Sequence, residues 1–370
     1  MQFYQISNWI KSNLSKIPLN HRKIISALVY GLMLSKRIGV ACIGRAMKSK
    51  TTPRHNIKRV ARYLENKRIN IPQSMEALQY KLCNKKELLL ISIDWTVLSD
   101  NGYQVLKATV VGDGRGIPIA YKTYKEETLK DKQTVYEIEM IEYLRTIIPE
   151  KTKVIIIGDR GFGRKSMLMA SIEKNRFYYV LRTKENIKIK NDEYQGLVLD
   201  YQTEKEHIYE LKDVVWPGFE NKTKKKKEMK IKSKFVITQK KNCKERWILA
   251  TNLYDMKAEK IIKIYYKRMT IEETFKDEKN LLYGFALEKM KLSSAERYDK
   301  MLLIICYAYL FLTLLGVLME KENMHRKIMA NTVKHRTFSL FQVGLFYFKK
   351  YDYRISKLLK LLDNLIYVLE

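Results

Sequence analysis

Residues 88–124 read LLLISIDWTVLSDNGYQVLKATVVGDGRGIPIAYKTY: three apolar runs separated by the turn clusters DNG and GDGRG. Runs rich in β-branched and aromatic residues, bounded by Asp, Asn and Gly, predict a three-stranded antiparallel meander. Further along, DKQTVYEIEMIEYLRTII predicts a helix and KVIIIGD a buried strand. GRKSMLMASIEKN predicts a second helix, and FYYVLRTK another strand. Short apolar runs alternating with longer periodic ones are the pattern of an α/β sheet.

The order β-β-β-α-β-α-β is that of a ribonuclease H-like core, a mixed five-stranded sheet with helices, in which the first and fourth strands are parallel central neighbours. Upstream, residues 1–82 read as helical: ISALVYGLMLS and VACIGRAMKS are periodic, and Pro53 opens RHNIKRVARYLENKRI. In that last helix Ile57, Val60 and Leu64 share one face. Lys58, Arg59 and Arg62, with Lys67 and Arg68 beyond, are left to solvent or to phosphate. Two short helices, a polar turn and a basic helix suit a helix-turn-helix DNA-binding domain. The core's first part spans 83–183. Residues 184–256 hold short strand-like runs (NIKIK, LVLDY, HIYEL, KFVITQ, RWILATN) around NKTKKKKEMKIKSK. These predict a β-rich insertion subdomain with a mobile basic loop. A second core part (257–320) and an aromatic-rich C-terminal region (321–370) complete the chain.

The 71 Lys plus Arg outnumber 40 Asp plus Glu, a formal net charge of +31 that points to a polyanion partner such as nucleic acid. A lysine-, isoleucine- and tyrosine-rich composition is also what an A/T-rich genome favours, which trims that inference without reversing it. With 46% hydrophobic residues the chain is globular rather than disordered. Its four cysteines form no C-x-x-C pair and its five histidines no ligand spacing, which argues against zinc. Free thiols and a start without the apolar stretch of a secretory signal predict a cytoplasmic protein, nucleoid-associated when acting. MLLIICYAYLFLTLLGVL, residues 301–318, is uncharged and long enough to span a bilayer. It is expected to be a buried core helix rather than a membrane anchor.

Asp94 interrupts an apolar strand, where a carboxylate is costly unless compensated. Asp159 ends VIIIGD, at the carboxyl end of a strand, where open α/β sheets place their chemistry. The stretch IYYKRMTIEETFKDEKN, residues 264–280, is expected to form one amphipathic helix. At about 100° per residue, Arg268, Glu272 and Lys279 fall within about 60° of Tyr265. Ile264, Ile271, Phe275 and Leu282 make the buried stripe beside them. Read blandly, Arg268 and Glu272 are an ordinary i,i+4 pair. If the two strands are neighbours, Glu272 completes a trio with Asp94 and Asp159. Three such charges need counter-charge, and two Mg²⁺ or Mn²⁺ ions suit oxygen-only ligands. Tyr265, Arg268 and Lys279 would then grip the phosphate beside a scissile bond. Glu273 falls off the stripe, Asp100 and Asp113 sit in glycine turns, and Asp277 and Glu278 are expected to be solvated. GDGRG and GDRGFG match no nucleotide-binding fingerprint.

The spacing Y-x2-R-x3-E-x6-K, met by Tyr265, Arg268, Glu272 and Lys279, resembles the signature of bacterial insertion-sequence transposases of the DDE class, the family typified by the transposases of composite antibiotic-resistance transposons. RHNIKRVARYLENKR, IDWT, GDRGF, WILATNL, SSAERYDKMLLI and MANTVKHR also look like stretches of those proteins, so the similarity runs from about residue 50 to 340. The resemblance implies cut-and-paste transposition, with Asp94, Asp159 and Glu272 as catalytic metal ligands. It implies DNA contacts by Tyr265, Arg268, Lys279 and Arg182. Trp247 would stack on a base flipped out as a hairpin forms; a tryptophan buried between strands is the plainer reading. The implied partners are duplex DNA, as terminal inverted repeats and target, and a second copy of the chain in a paired-end complex. A non-catalytic DNA-binding derivative and a repair or junction nuclease on the same fold are the alternatives.

Overall fold

The computed structural model describes residues 2–84, 86–163, 166–216, 231–241 and 243–349. Five helices open the chain: α1 (Gln2–Asn13), α2 (Leu19–Ser35), α3 (Val40–Ala46), α4 (Pro53–Glu65) and α5 (Ile71–Cys83). Thr52 caps α4 by accepting from the His55 amide, and Pro53 occupies the first turn, where its missing N–H costs nothing. The meander follows as β1 (Leu88–Ser99), β2 (Tyr103–Val111) and β3 (Gly116–Lys125). Positive φ at Gly102 and Gly114 closes its two turns, as the sequence leads one to expect. Next come α6 (Gln133–Ile147), β4 (Lys153–Gly158), α7 (Ser166–Lys174) and β5 (Tyr178–Arg182). β1 and β4 are parallel neighbours, with Ser92 opposite Ile157.

The insertion contributes β6 (Lys188–Lys190), β7 (Gln195–Leu197), β8 (Ile208–Trp216), β9 (Ile231–Thr238) and β10 (Trp247–Thr251). These strands continue the core sheet. β10 pairs antiparallel with β5, and one ten-stranded sheet runs β3-β2-β1-β4-β5-β10-β9-β8-β6-β7. The expected five strands are its first half. LVLDY is mostly a 3₁₀ turn over Val198–Asp200 rather than a strand. Most of the lysine-rich tract, residues 221–230, lies outside the described residues.

Beyond the sheet run α8 (Ala258–Tyr266), α9 (Met269–Lys279), α10 (Ala295–Lys321) and α11 (Leu340–Tyr347). The single helix expected over 264–280 is therefore two. Around Lys267 and Arg268 the amides of residues 267, 268, 270 and 271 bond three residues back, a tight 3₁₀ turn that joins α8 to α9. Ile264, Ile271 and Phe275 are buried as expected, but α9 stops at Lys279 and Leu282 is 80% exposed. The C-terminal region is seen as α11, capped by Ser339 and Gln342; residues 350–370 lie outside the described residues.

α10 is long and apolar enough to cross a membrane, yet its apolar window is wholly buried. It packs against α2, α4, α5, α11 and β3. Trp9 of α1 meets Phe311 edge-on at 5.4 Å, and the Tyr63 hydroxyl of α4 donates to the Lys300 carbonyl at 3.1 Å. The N-terminal helices and the sheet thus share one hydrophobic core. A smaller cluster fills the other face of the sheet, where Ala258, Ile261, Ile264 and Tyr265 of α8 cover Ile155, Ile157, Val180 and Leu249.

Candidate active site

Side chains alternate along strands. Ile155 and Ile157 face α8, so continuing β4 by two residues aims Asp159 toward the same face. Ser92 is level with Ile157, and two residues on brings Asp94 level with Asp159. The sheet alone thus sets two carboxylates abreast. Asp159 is fixed by an Asx-type turn, its Oδ1 accepting from the Gly161 amide at 2.7 Å. Gly163 closes that turn against β5: a Cβ there would lie 1.9 Å from the Arg182 carbonyl oxygen. Only glycine fits.

Asp94 Oδ1 accepts from its neighbour's amide, Trp95, at 2.8 Å. Burial pushes the Asp94 carboxyl up to about 7, and Asp159 and Glu272 add to the shift, while Arg268 and the Trp95 amide oppose it. Desolvation and like charge favour the neutral acid, as expected where carboxylates crowd a half-buried cleft.

The tight turn between α8 and α9 places Arg268 at the centre. Its Nη1 lies 2.6 Å from Glu272 Oε1 and 3.8 Å from Asp94 Oδ2. Its guanidinium carbon stands 5.9 Å from the centre of the Tyr265 ring, itself 97% buried in the smaller core cluster. Arg268 Nε is buried without a hydrogen-bond partner, a donor held in reserve. Among the described residues no three His, Cys, Asp or Glu side chains converge closely enough to hold one metal ion. Asp94 and Glu272 instead share Arg268, whose cation offsets their charge, while Asp159 adds its repulsion at Asp94. The oxygen-only chemistry of these carboxylates is the donor type that suits a hard divalent ion.

The remaining expected residues flank this centre. Lys279 lines the same depression as Glu272 and Thr96, and bonds Glu288 at 2.9 Å. Trp247 is half-buried at the start of β10, edge-on to Tyr265 at 4.9 Å and tilted against Tyr266 at 6.1 Å. Arg182, on the paired strand β5, bonds Glu245 at 2.8 Å, and Glu245 also meets Arg160 at 3.4 Å. Lys58 and Arg62 are exposed on α4, which packs on α10, whereas Arg59 turns back to Asn56 Oδ1 at 3.3 Å. Glu273 is off the site, bound to Lys276 and Arg115.

The expectation that Asp277 and Glu278 are solvated is wrong. They are 2% and 0% exposed. Arg115 Nε donates to Asp277 at 2.7 Å, as do Ser339 at 2.9 Å and Tyr309 at 3.2 Å. Lys107 Nζ donates to Glu278 at 2.5 Å, with both side chains fully buried. These pairs pin α9 to β2 and to the β2–β3 turn. A signal for them existed: Lys107 interrupts an apolar strand just as Asp94 does.

Residues 85–311 match the family described as transposase DDE domain, and the chain belongs to that family of DDE transposases. Its class is that of metal-binding proteins of DNA transposition, which act on DNA and in general use divalent metal ions. None of the curated proteins matches the chain.

Proposed function

We propose that this chain is a cut-and-paste transposase of an insertion sequence, with Asp94, Asp159 and Glu272 as its catalytic metal ligands. The observation that supports the reading is that Arg268 bridges Asp94 and Glu272, far apart in sequence, while Asp159 raises the Asp94 carboxyl from the neighbouring strand. Two Mg²⁺ or Mn²⁺ ions bound by their oxygens would activate a water or a 3′-hydroxyl and stabilise the leaving oxygen.

The chain's own residues do the positioning. Arg268 has donors to spare and swings from the acids to the phosphate beside the scissile bond, where a planar guanidinium binds two oxygens at once. Tyr265 supports it from below, and Lys279 and Arg182 hold neighbouring phosphates. Trp247, half-buried beside Tyr265, offers its ring to a base turned out of the duplex as the ends pass through hairpins. The N-terminal helices, residues 1–82, read the terminal inverted repeats through the exposed face of α4, with Lys58, Arg59 and Arg62 at the backbone. Two copies pair the ends. The protein works in the cytoplasm, at the nucleoid.

The test is a series of single alanine substitutions at the three acids, assayed on labelled transposon-end DNA with Mg²⁺ and with Ca²⁺. Each should abolish Mg²⁺-dependent cleavage and spare binding. Full cleavage by any one variant would remove that residue from the site.

A further inference from the structure

A groove of about 1560 Å³ runs beside α8, between that helix and the amino ends of β1 and β4. Seven lysines line it, against two acids, Glu87 and Asp255. Six of the seven are exposed: Lys151, Lys153, Lys257, Lys260, Lys263 and Lys267. None of these six has an ion-pair partner among the described residues, whereas Arg268, Arg182, Lys279 and Lys107 near the acids are all paired. Like charges gathered in a concavity repel one another and focus a positive potential outward. Such an arrangement is stabilised by an external polyanion.

The geometry names which one. α8 buries Ala258, Ile261, Ile264 and Tyr265 against the sheet, which turns Lys257, Lys260, Lys263 and Lys267 to the groove. From Lys257 to Lys267 a helix rises about 15 Å. One strand of B-DNA presents a phosphate every ~3.4 Å of axis, so this run faces about four. The row also ends one residue before Arg268. Lys267 thus joins the groove, at the amino ends of β1 and β4, to Arg268 beside Asp94, so that a duplex crossing α8 would reach both. The basic helix α4 packs on α10 in the main core, on the opposite face of the sheet from α8.

We propose that this groove binds the sugar–phosphate backbone of duplex DNA beyond the scissile phosphate, on the side away from the α4 contacts. The binding is independent of sequence, because lysines on phosphates read charge alone. The assignment rests on the proposed DNA-processing role of the acid site.

The experiment uses the full chain and a fluorescent random-sequence duplex, titrated by anisotropy across a range of KCl concentrations. The variant is Lys257→Gln/Lys260→Gln/Lys263→Gln; its control carries the same charge change elsewhere, Lys321→Gln/Lys327→Gln/Lys334→Gln. The first should lose at least tenfold in affinity at low salt. Its slope of log K against log salt should become shallower by roughly 2–3, at about 0.9 per phosphate contact, while the control shifts little. An unchanged slope, or equal shifts in both variants, overturns the proposal in favour of bulk charge. So does intact duplex binding with lost binding to phosphatidylserine vesicles, which would make the groove a membrane surface. Cleavage that survives substitution of the acids, alongside a shallower slope in the first variant, would overturn the acid site and leave the groove standing.

Discussion

Lys107 stands directly opposite Asp94 in the β1–β2 register, yet its ammonium goes to Glu278, on the same helix as Glu272. One fully buried ion pair thus ties the strand beside the first acid to the helix that carries the third. Removing one partner strands a charge in the interior. Lys107→Met or Glu278→Leu alone should cost about 3–5 kcal/mol, and the double change Lys107→Met/Glu278→Leu less than the sum. Urea unfolding of the three variants measures this; strict additivity would mean the two groups do not act as a pair.

The raised Asp94 carboxyl has a definite sign. Between about 4 and about 7 the folded chain binds a proton there that the unfolded chain has lost. Stability from this group is therefore greatest below that window and falls as pH rises through it. Asp94→Asn removes the dependence. Without added divalent ions the variant should melt higher than the parent at pH 8, by about 2 °C or more, and near the parent at pH 5. Melting curves at the two pH values decide; a pH-independent difference would count against a buried, proton-binding Asp94.

Arg268 shares its charge with Glu272 and Asp94. A divalent ion entering among the acids meets that charge as a competitor. Arg268→Gln should raise Mn²⁺ affinity about fivefold, roughly 1 kcal/mol for a partly exposed pair, while it lowers DNA cleavage. Calorimetric titration of Mn²⁺ gives the first quantity, and weaker binding in the variant would show that Arg268 assists the ion instead.

At position 163 any side chain strikes the main chain of β5. Main-chain atoms cannot rotate aside. Gly163→Ala should destabilise by about 1–3 kcal/mol, as overpacking does, and disturb the Asp159 turn. Thermal unfolding checks the first effect, and cleavage of end DNA the second. A stable, fully active variant would show that the turn relaxes freely.

The meander and the following βαβαβ run were legible because each apolar run is short and closed by Gly, Asp or Asn, so local chemistry sets the boundaries. Asp94 and Asp159 stood out as charges at the middle and end of apolar strands. The burial of Asp277 and Glu278 was not legible, since Arg115 and Lys107 are 162 and 171 residues away in sequence. A charged helix end reads as solvated until such partners are known. The break at Arg268 was equally hidden, because residues 267 and 268 keep helical dihedrals and only the hydrogen-bond step changes. Periodicity across the break still held for Ile271 and Phe275, but failed at Leu282, beyond the real end of α9.

The ladder between β5 and β10 fastens the described part of the insertion to the core as one continuous sheet. A load on β10 passes through three cross-strand residue pairs into β5, and from there to the Arg182 carbonyl beneath Gly163. The insertion and the Asp159 turn are therefore linked by main chain alone, without a side chain that could rotate aside.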